Sequence, residues 1–384
     1  MEIFNFDEPV QRFGTDSYKW GDGTLRNTIP LWVADMDFKT APCIIDALKE
    51  RVEHGVFGYV QVPDLYFQSL VDWHRLRHNW DIDSRKVIYT TGVVPAVSAI
   101  IKALTNPGEG VILPVPAYNC FFSSIRNNKC RIVETELENV SSDSAQIVYT
   151  FDFDHIEELA SKKENKLFIL CNPLNPGGRV WTEEELSVLS KICNKHGVTV
   201  VSDEIHCELT RSGVNYTPYA TIDSNAIITF SASKAFNIAG LQLANIYCPD
   251  MATRVKIDRA INDNEVCDVG PFGIAAAIAA YTKGAAWLDA LRVYLDGNNQ
   301  LVDSFFNQRF PMCPKAPLQA TYLSWIDLRP LGVSSSRFVE EALKVGVRLA
   351  DGESYGKSGF IRINFATSRN LLSRAMERLY KLPL

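Results

Sequence analysis

Between residues 86 and 234, short apolar runs alternate with stretches of helical spacing. Lys86–Thr90, Gly110–Pro114, Leu167–Cys171, Val198–Ser202 and Ala226–Phe230 are dominated by Val, Ile and Leu, with little apolar–polar alternation. That pattern predicts strands buried on both faces, as in a parallel sheet covered by helices. A helix is expected from Gly92 and Val93 to Leu104. Another is expected after Thr182, where Glu185 three residues on completes a capping box. The expected class is therefore α/β, with a mainly parallel central sheet.

The flanks read differently. Residues 1–40 have no clean period, although Ile29–Phe38 looks like a strand running into acidic residues. Pro42–His54 and residues 65–79 have helical spacing, separated by the glycine-flanked aromatic loop Gly55–Tyr59. From about residue 285 the pattern becomes a long helix (Trp287, Leu288, Leu291, Leu295) and then two strands, Tyr322–Asp327 and Phe360–Asn364. A chain of 384 residues exceeds one ordinary core. The expected division is a large domain over 46–284 and a small α+β domain over 285–384, which the segment 1–45 joins.

Composition narrows the function. A net charge of −6 without any compact basic block argues against nucleic acid as a partner. The longest wholly apolar run, Ile274–Tyr281, is too short to span a membrane, and no apolar stretch follows Glu2, Asp7 and Glu8 as a secretion signal requires. Nine cysteines with no C-x-x-C pair fit a reduced, cytoplasmic protein with free thiols. His74 and His78 stand four apart on a predicted helix, but Arg75 and Arg77 surround them and no third ligand is evident, so no metal is expected.

Gly92, Tyr118, Asn175, Asp203 and Lys234 each follow a predicted strand, where parallel sheets build their sites. The stretch Ser231–Asn237 fits a surface lysine as well as a Schiff-base lysine desolvated in a pocket. Asp203 alone is equally a helix cap, and Asn175-Pro176 a plain turn. Their common placement is what singles them out.

At this point Asn175-Pro176, Asp203-x-x-His206 and Ser231-x-Ser233-Lys234 resemble the fold-type I pyridoxal-phosphate enzymes of the aminotransferase superfamily. Leu31–Phe38, Phe57-Gly58-Tyr59, Ser202–His206 and Ser233–Asn237 are similar to its MalY/PatB-type cystathionine β-lyase branch. The resemblance implies pyridoxal 5'-phosphate bound covalently by Lys234, which also shuttles the Cα proton. It further implies Asp203 on the pyridine nitrogen, Asn175 on the phenolic oxygen with His206 nearby, and Tyr118 stacked on the ring. Gly92, Val93, Val94, Ser231 and Ser233 would hold the phosphate, with Tyr59 reaching it from the partner subunit of a homodimer. Arg362 would clamp the carboxylate of a small sulfur amino acid, with Ala34 and Asn175 beside it. The implied reaction is α,β-elimination of L-cystathionine or a related cysteine S-conjugate to pyruvate, ammonia and a thiol. His206 in place of tyrosine and Gln242 in place of a phosphate-binding arginine depart from the wider superfamily, as does Gly177 in Asn-Pro-x-Gly. The first two point towards the lyases. An aminotransferase of an L-amino acid is the competing reading, and a binding protein of regulatory function the third.

Overall fold

The computed structural model describes residues 4–21, 26–263, 265–266 and 268–383. Cys267 and Glu2 lie outside them. Strand β1 (Ile29–Pro30) and helices α1 (Pro42–His54) and α2 (Asp64–His78) come first. The body of the chain supplies β2 (Val87–Thr90), α3 (Val93–Leu104), β3 (Gly110–Val115), α4 (Asn119–Asn127), β4 (Arg131–Asn139), β5 (Tyr149–Phe151) and α5 (Phe153–Ser161). It continues through β6 (Asn165–Cys171), α6 (Glu183–His196), β7 (Thr199–Asp203), β8 (Ile227–Phe230) and β9 (Ala244–Tyr247). Helices α7 (Met251–Asn262), α8 (Pro271–Lys283) and α9 (Ala285–Arg309) follow. The last part holds β10 (Leu323–Asp327), α10 (Ser335–Lys344), β11 (Val347–Arg348), β12 (Ala350–Asp351), β13 (Phe360–Asn364) and α11 (Arg369–Leu379).

Among the described residues the main sheet has eight strands in the order β2-β9-β8-β7-β6-β3-β4-β5. β8, β7, β6, β3 and β4 run parallel, with antiparallel pairing at β9 and β2 on one side and β5 on the other. Every residue of β3 and β8 is buried, which explains their unbroken apolar runs. A second sheet, β10-β13-β12, is antiparallel. The capping box of α6 forms as its sequence indicates, and Gly197 ends that helix in the left-handed conformation at φ 71°.

One stretch differs from its sequence pattern. Ile29–Phe38 is a strand only at β1, which pairs with β11. Beyond it the chain is an irregular strap whose carbonyl groups are taken by side chains from distant segments, so no ladder forms. The apolar run Ile274–Tyr281 is part of the buried helix α8. Strand β4 is mostly exposed, with only two of its nine residues buried, which is why its sequence gives so weak a strand pattern. No helix among the described residues is long and apolar enough to cross a membrane.

Candidate active site

Because β6, β7 and β8 lie side by side in register, their carboxyl ends bring Asn175, Asp203 and Lys234 to one edge of the sheet. A cavity of about 390 Å³ opens there. Ala34, Gly92, Val93, Val94, Tyr118, Asn175, Asp203, His206, Ser233 and Lys234 all line it. Gln242, marked in the sequence as replacing a phosphate-binding arginine, lines it too, as do Thr91, Ile205, Ala239 and Val266, which no sequence motif had marked.

The electrostatics of the cavity are set by burial. Asp203 ends β7 with one oxygen accepting from the Ile205 amide at 3.1 Å. Burial pushes its carboxyl up to about 7, against the opposing pull of that amide and of Lys234. Lys234 is lowered to about 8, first by burial and then by Arg362, while Asp35 and Asp203 oppose the shift. Its Nζ donates to the Ala34 carbonyl at 2.7 Å. His206 is pushed down to about 3 by burial and by its cationic neighbours Lys234 and Arg362, and its Nδ1 has no hydrogen-bond partner.

Arg362, on β13, stands behind Asn175. It donates to Asn175 Oδ1 at 2.9 Å and to the Trp32 carbonyl at 2.9 Å, its guanidinium lies 4.5 Å from the Tyr355 ring centroid, and its Nε is buried without a partner. With Oδ1 engaged, the Asn175 amide nitrogen is the end left for the cavity. At the opposite wall, the amides of Val93 and Val94 begin α3, where the helix dipole favours an anion. Pro95 falls in that first turn, where a missing N–H costs nothing.

Two marked serines part company. Ser233 faces the cavity. Ser231 does not; its hydroxyl donates to the Leu243 carbonyl at 2.6 Å and accepts from the Ser233 amide at 3.1 Å. Tyr59 is fully exposed and lies outside the cavity of its own chain.

Sequence reading missed what holds the strap of residues 31–38 over the site. Asn237, at φ 56°, donates to the Met36 and Phe38 carbonyls at 3.0 and 2.9 Å and accepts from the Met36 amide at 3.0 Å. Asn364 donates to the Val33 and Asp35 carbonyls at 2.5 and 2.6 Å. Lys19, almost wholly buried, meets Asp37 at 2.9 Å, and Arg12 bridges Asp35 and Asp37 at 2.8 and 2.9 Å. No local pattern announces the Asn237 and Asn364 partners, about 200 and 330 residues away, and the Arg12 and Lys19 ion pairs lie in a segment without clean period; the only available sign was the Asn of the lysine heptapeptide.

The two helical histidines do not converge on a shared point. His74 Nδ1 bonds the Leu70 carbonyl at 2.9 Å, and His78 Nε2 bonds Glu208 at 2.7 Å. Cys207 completes a group of potential ligands with His78 and Glu208. However, Glu208 also accepts from the Trp73 indole at 2.6 Å and has Arg77 3.8 Å away, so protein groups already engage it.

Pyridoxal phosphate can be tested against these atoms. A buried carboxyl raised to about 7 suits a cationic partner, and the unpartnered His206 Nδ1 needs a polar one. A protonated pyridine with polar substituents would supply both. The α3 N-terminus suits a phosphate. The residues fit that group.

The model of the aminotransferase class I and II family matches residues 26–379. The chain belongs to this family. It is 36% identical to cystathionine β-lyase PatB of Bacillus subtilis, over 98% of each chain, and 34% identical to protein MalY of Escherichia coli, again over 98% of each. The crystal structure of cystalysin from Treponema denticola, which contains pyridoxal 5'-phosphate, superposes with a TM-score of 0.94 at 33% identity, covering 99% of both chains.

Proposed function

We propose that this chain is a pyridoxal-phosphate-dependent carbon–sulfur β-lyase. Its reaction converts a cysteine thioether and water to a thiol, pyruvate and ammonia. The observation that carries the reading is the meeting of Lys234, Asp203 and Asn175 at one cavity, with Arg362 bonded to Asn175, in a chain that matches PatB over almost its whole length.

The cofactor, when bound, supplies a sink for the electron pair left at Cα. Each residue then has a task its surroundings suit. Lys234 carries the cofactor and, as an amine depressed towards neutrality, takes and returns the Cα proton. Asp203 would keep the ring nitrogen protonated, and the Asn175 amide together with neutral His206 would serve its phenolic oxygen. Tyr118 would pack on the ring. Gly92, Val93, Val94 and Ser233 would hold the phosphate, with Ser231 bonded to Ser233. Arg362, with Ala34 and Asn175 beside it, binds the substrate carboxylate through a guanidinium already oriented by two acceptors.

We read the working form as a cytoplasmic homodimer in which Tyr59 serves the partner's site. The exposed apolar side chains Val56, Phe57 and Leu65 near Tyr59 support that reading. We also read residues 46–284 as the cofactor domain and 285–384, with 1–45, as a smaller one.

The test is L-cystathionine supplied without any keto acid. Release of pyruvate and thiol supports the lyase, and turnover that requires an added keto acid makes the chain an aminotransferase instead. In Lys234→Ala, pyruvate release should vanish together with covalent retention of the cofactor.

A further inference from the structure

The Ala34 carbonyl accepts two hydrogen bonds, one from Lys234 Nζ at 2.7 Å and one from the Tyr322 hydroxyl at 3.0 Å. Tyr322 is only 1% exposed, and its ring meets that of His206 edge-on at 6.3 Å. It follows Thr321, a β-branched residue at φ 71° with no exposed surface. A positive φ at such a residue is a genuine outlier that surrounding structure must enforce. Here the Thr321 amide donates to the Leu209 carbonyl at 3.1 Å, and the buried Arg211 donates to the Thr321 carbonyl at 2.5 Å. The corner is clamped on both sides, and the clamp aims Tyr322 at Ala34.

We propose that Tyr322 is a positioning residue for Lys234: by occupying the second lone pair of the Ala34 carbonyl, it leaves the lysine a shared and therefore weaker acceptor, from which the amine is readily released to react. The carbonyl itself stays in place without Tyr322. Asn364 holds the carbonyls on either side of it, and Asn237 holds Met36. Removing the hydroxyl then gives Lys234 sole use of the oxygen, which favours the ammonium form. The other charged or titratable groups around Lys234 are Asp203 on β7, Arg362 on β13, Asp35 on the strap, Cys120 on α4, Tyr118 and His206, and Tyr322→Phe replaces none of them.

The inference rests on Lys234 being the amine that captures the cofactor, and one experiment separates the two claims. Full-length protein stripped of cofactor is mixed with pyridoxal phosphate from pH 6 to 10, and covalent capture is followed by absorbance. Capture needs the neutral amine, so its rate rises with pH through the lysine's midpoint. Tyr322→Phe should move that midpoint up by about half a unit, slowing capture at pH 7 about threefold. Tyr322→Leu, which also lacks the hydroxyl, should move it in the same direction and decides the matter if Tyr322→Phe does not fold. Midpoints unchanged in the folded variants overturn the role of Tyr322 and leave Lys234's intact. Covalent capture by Lys234→Ala overturns the reading beneath it.

Discussion

Lys234 is balanced between burial, which strips its proton, and two carboxylates, which favour keeping it. Asp203 is the nearer test of that balance. Asp203→Asn keeps the shape and the Ile205 contact but removes the charge that holds a ring proton. Pyruvate release should fall at least 100-fold in steady-state assays, with the circular dichroism spectrum unchanged. Glu204, next in sequence, faces the other way and has a structural task. It accepts from Ser202 at 2.8 Å, from the Tyr219 amide at 2.9 Å and from Tyr216, and burial pushes it up to about 7. A carboxyl raised in the folded state stabilises below its unfolded value and loses that contribution as pH rises to about 7. The loss is about 3 kcal/mol, in a window between pH 4.5 and 7. Urea titrations at pH 5 and pH 8 should therefore differ less for Glu204→Gln than for the unaltered chain. Sequence could place Asp203 in the site because a strand end is a local feature. It could not tell which of two adjacent carboxyls has a structural partner, because Tyr216 and Tyr219 return only after a loop.

At the scale of elements, two interactions differ in how far they reach. The α6 capping box is local, and Thr182→Ala should cost about 1 kcal/mol by chemical denaturation with activity unchanged. Asn237 instead joins the lysine loop to the strap. Asn237→Ala loses three hydrogen bonds and puts a β-carbon without compensation at φ 56°, so a cost of about 2–4 kcal/mol is expected, with pyruvate release reduced as well. Asn237→Gly loses the same three hydrogen bonds without the backbone penalty, so the stability it still lacks relative to the unaltered chain measures the bonds, and its gain over Asn237→Ala measures the penalty. The contrast explains what was legible. Strands β3, β6, β7 and β8 and helices α1, α3 and α6 follow from patterns within a dozen residues. The strap does not, since its eight apolar and acidic residues look like a strand until the side chains that satisfy its carbonyls are known.

For the whole molecule, the fully exposed Tyr59 and its apolar surroundings have a direct physical reading. Sedimentation equilibrium should give about twice the chain mass of 43.0 kDa. A 43.0 kDa species with full activity would remove Tyr59 from the site. The α/β class and the position of the site were legible because parallel sheets concentrate chemistry at strand ends. The dispositions of Arg362 and the strap were not, because they depend on long-range closure.

That closure has a consequence during synthesis. Arg362 Nη2 reaches back 330 positions to the Trp32 carbonyl, and Tyr322 reaches back 288 to Ala34. A ribosome emits the strap early, with Arg12, Lys19 and Asn237 to hold it, and the last of its clasps, Tyr322, Arg362 and Asn364, at the end. The main sheet, ending at Tyr247, has all its strands well before those. A nascent chain that ends after β9 therefore has the strands of the main sheet, with Lys234 and Asp203, but lacks the arginine that would bind a carboxylate, which comes only with the final stretch of translation.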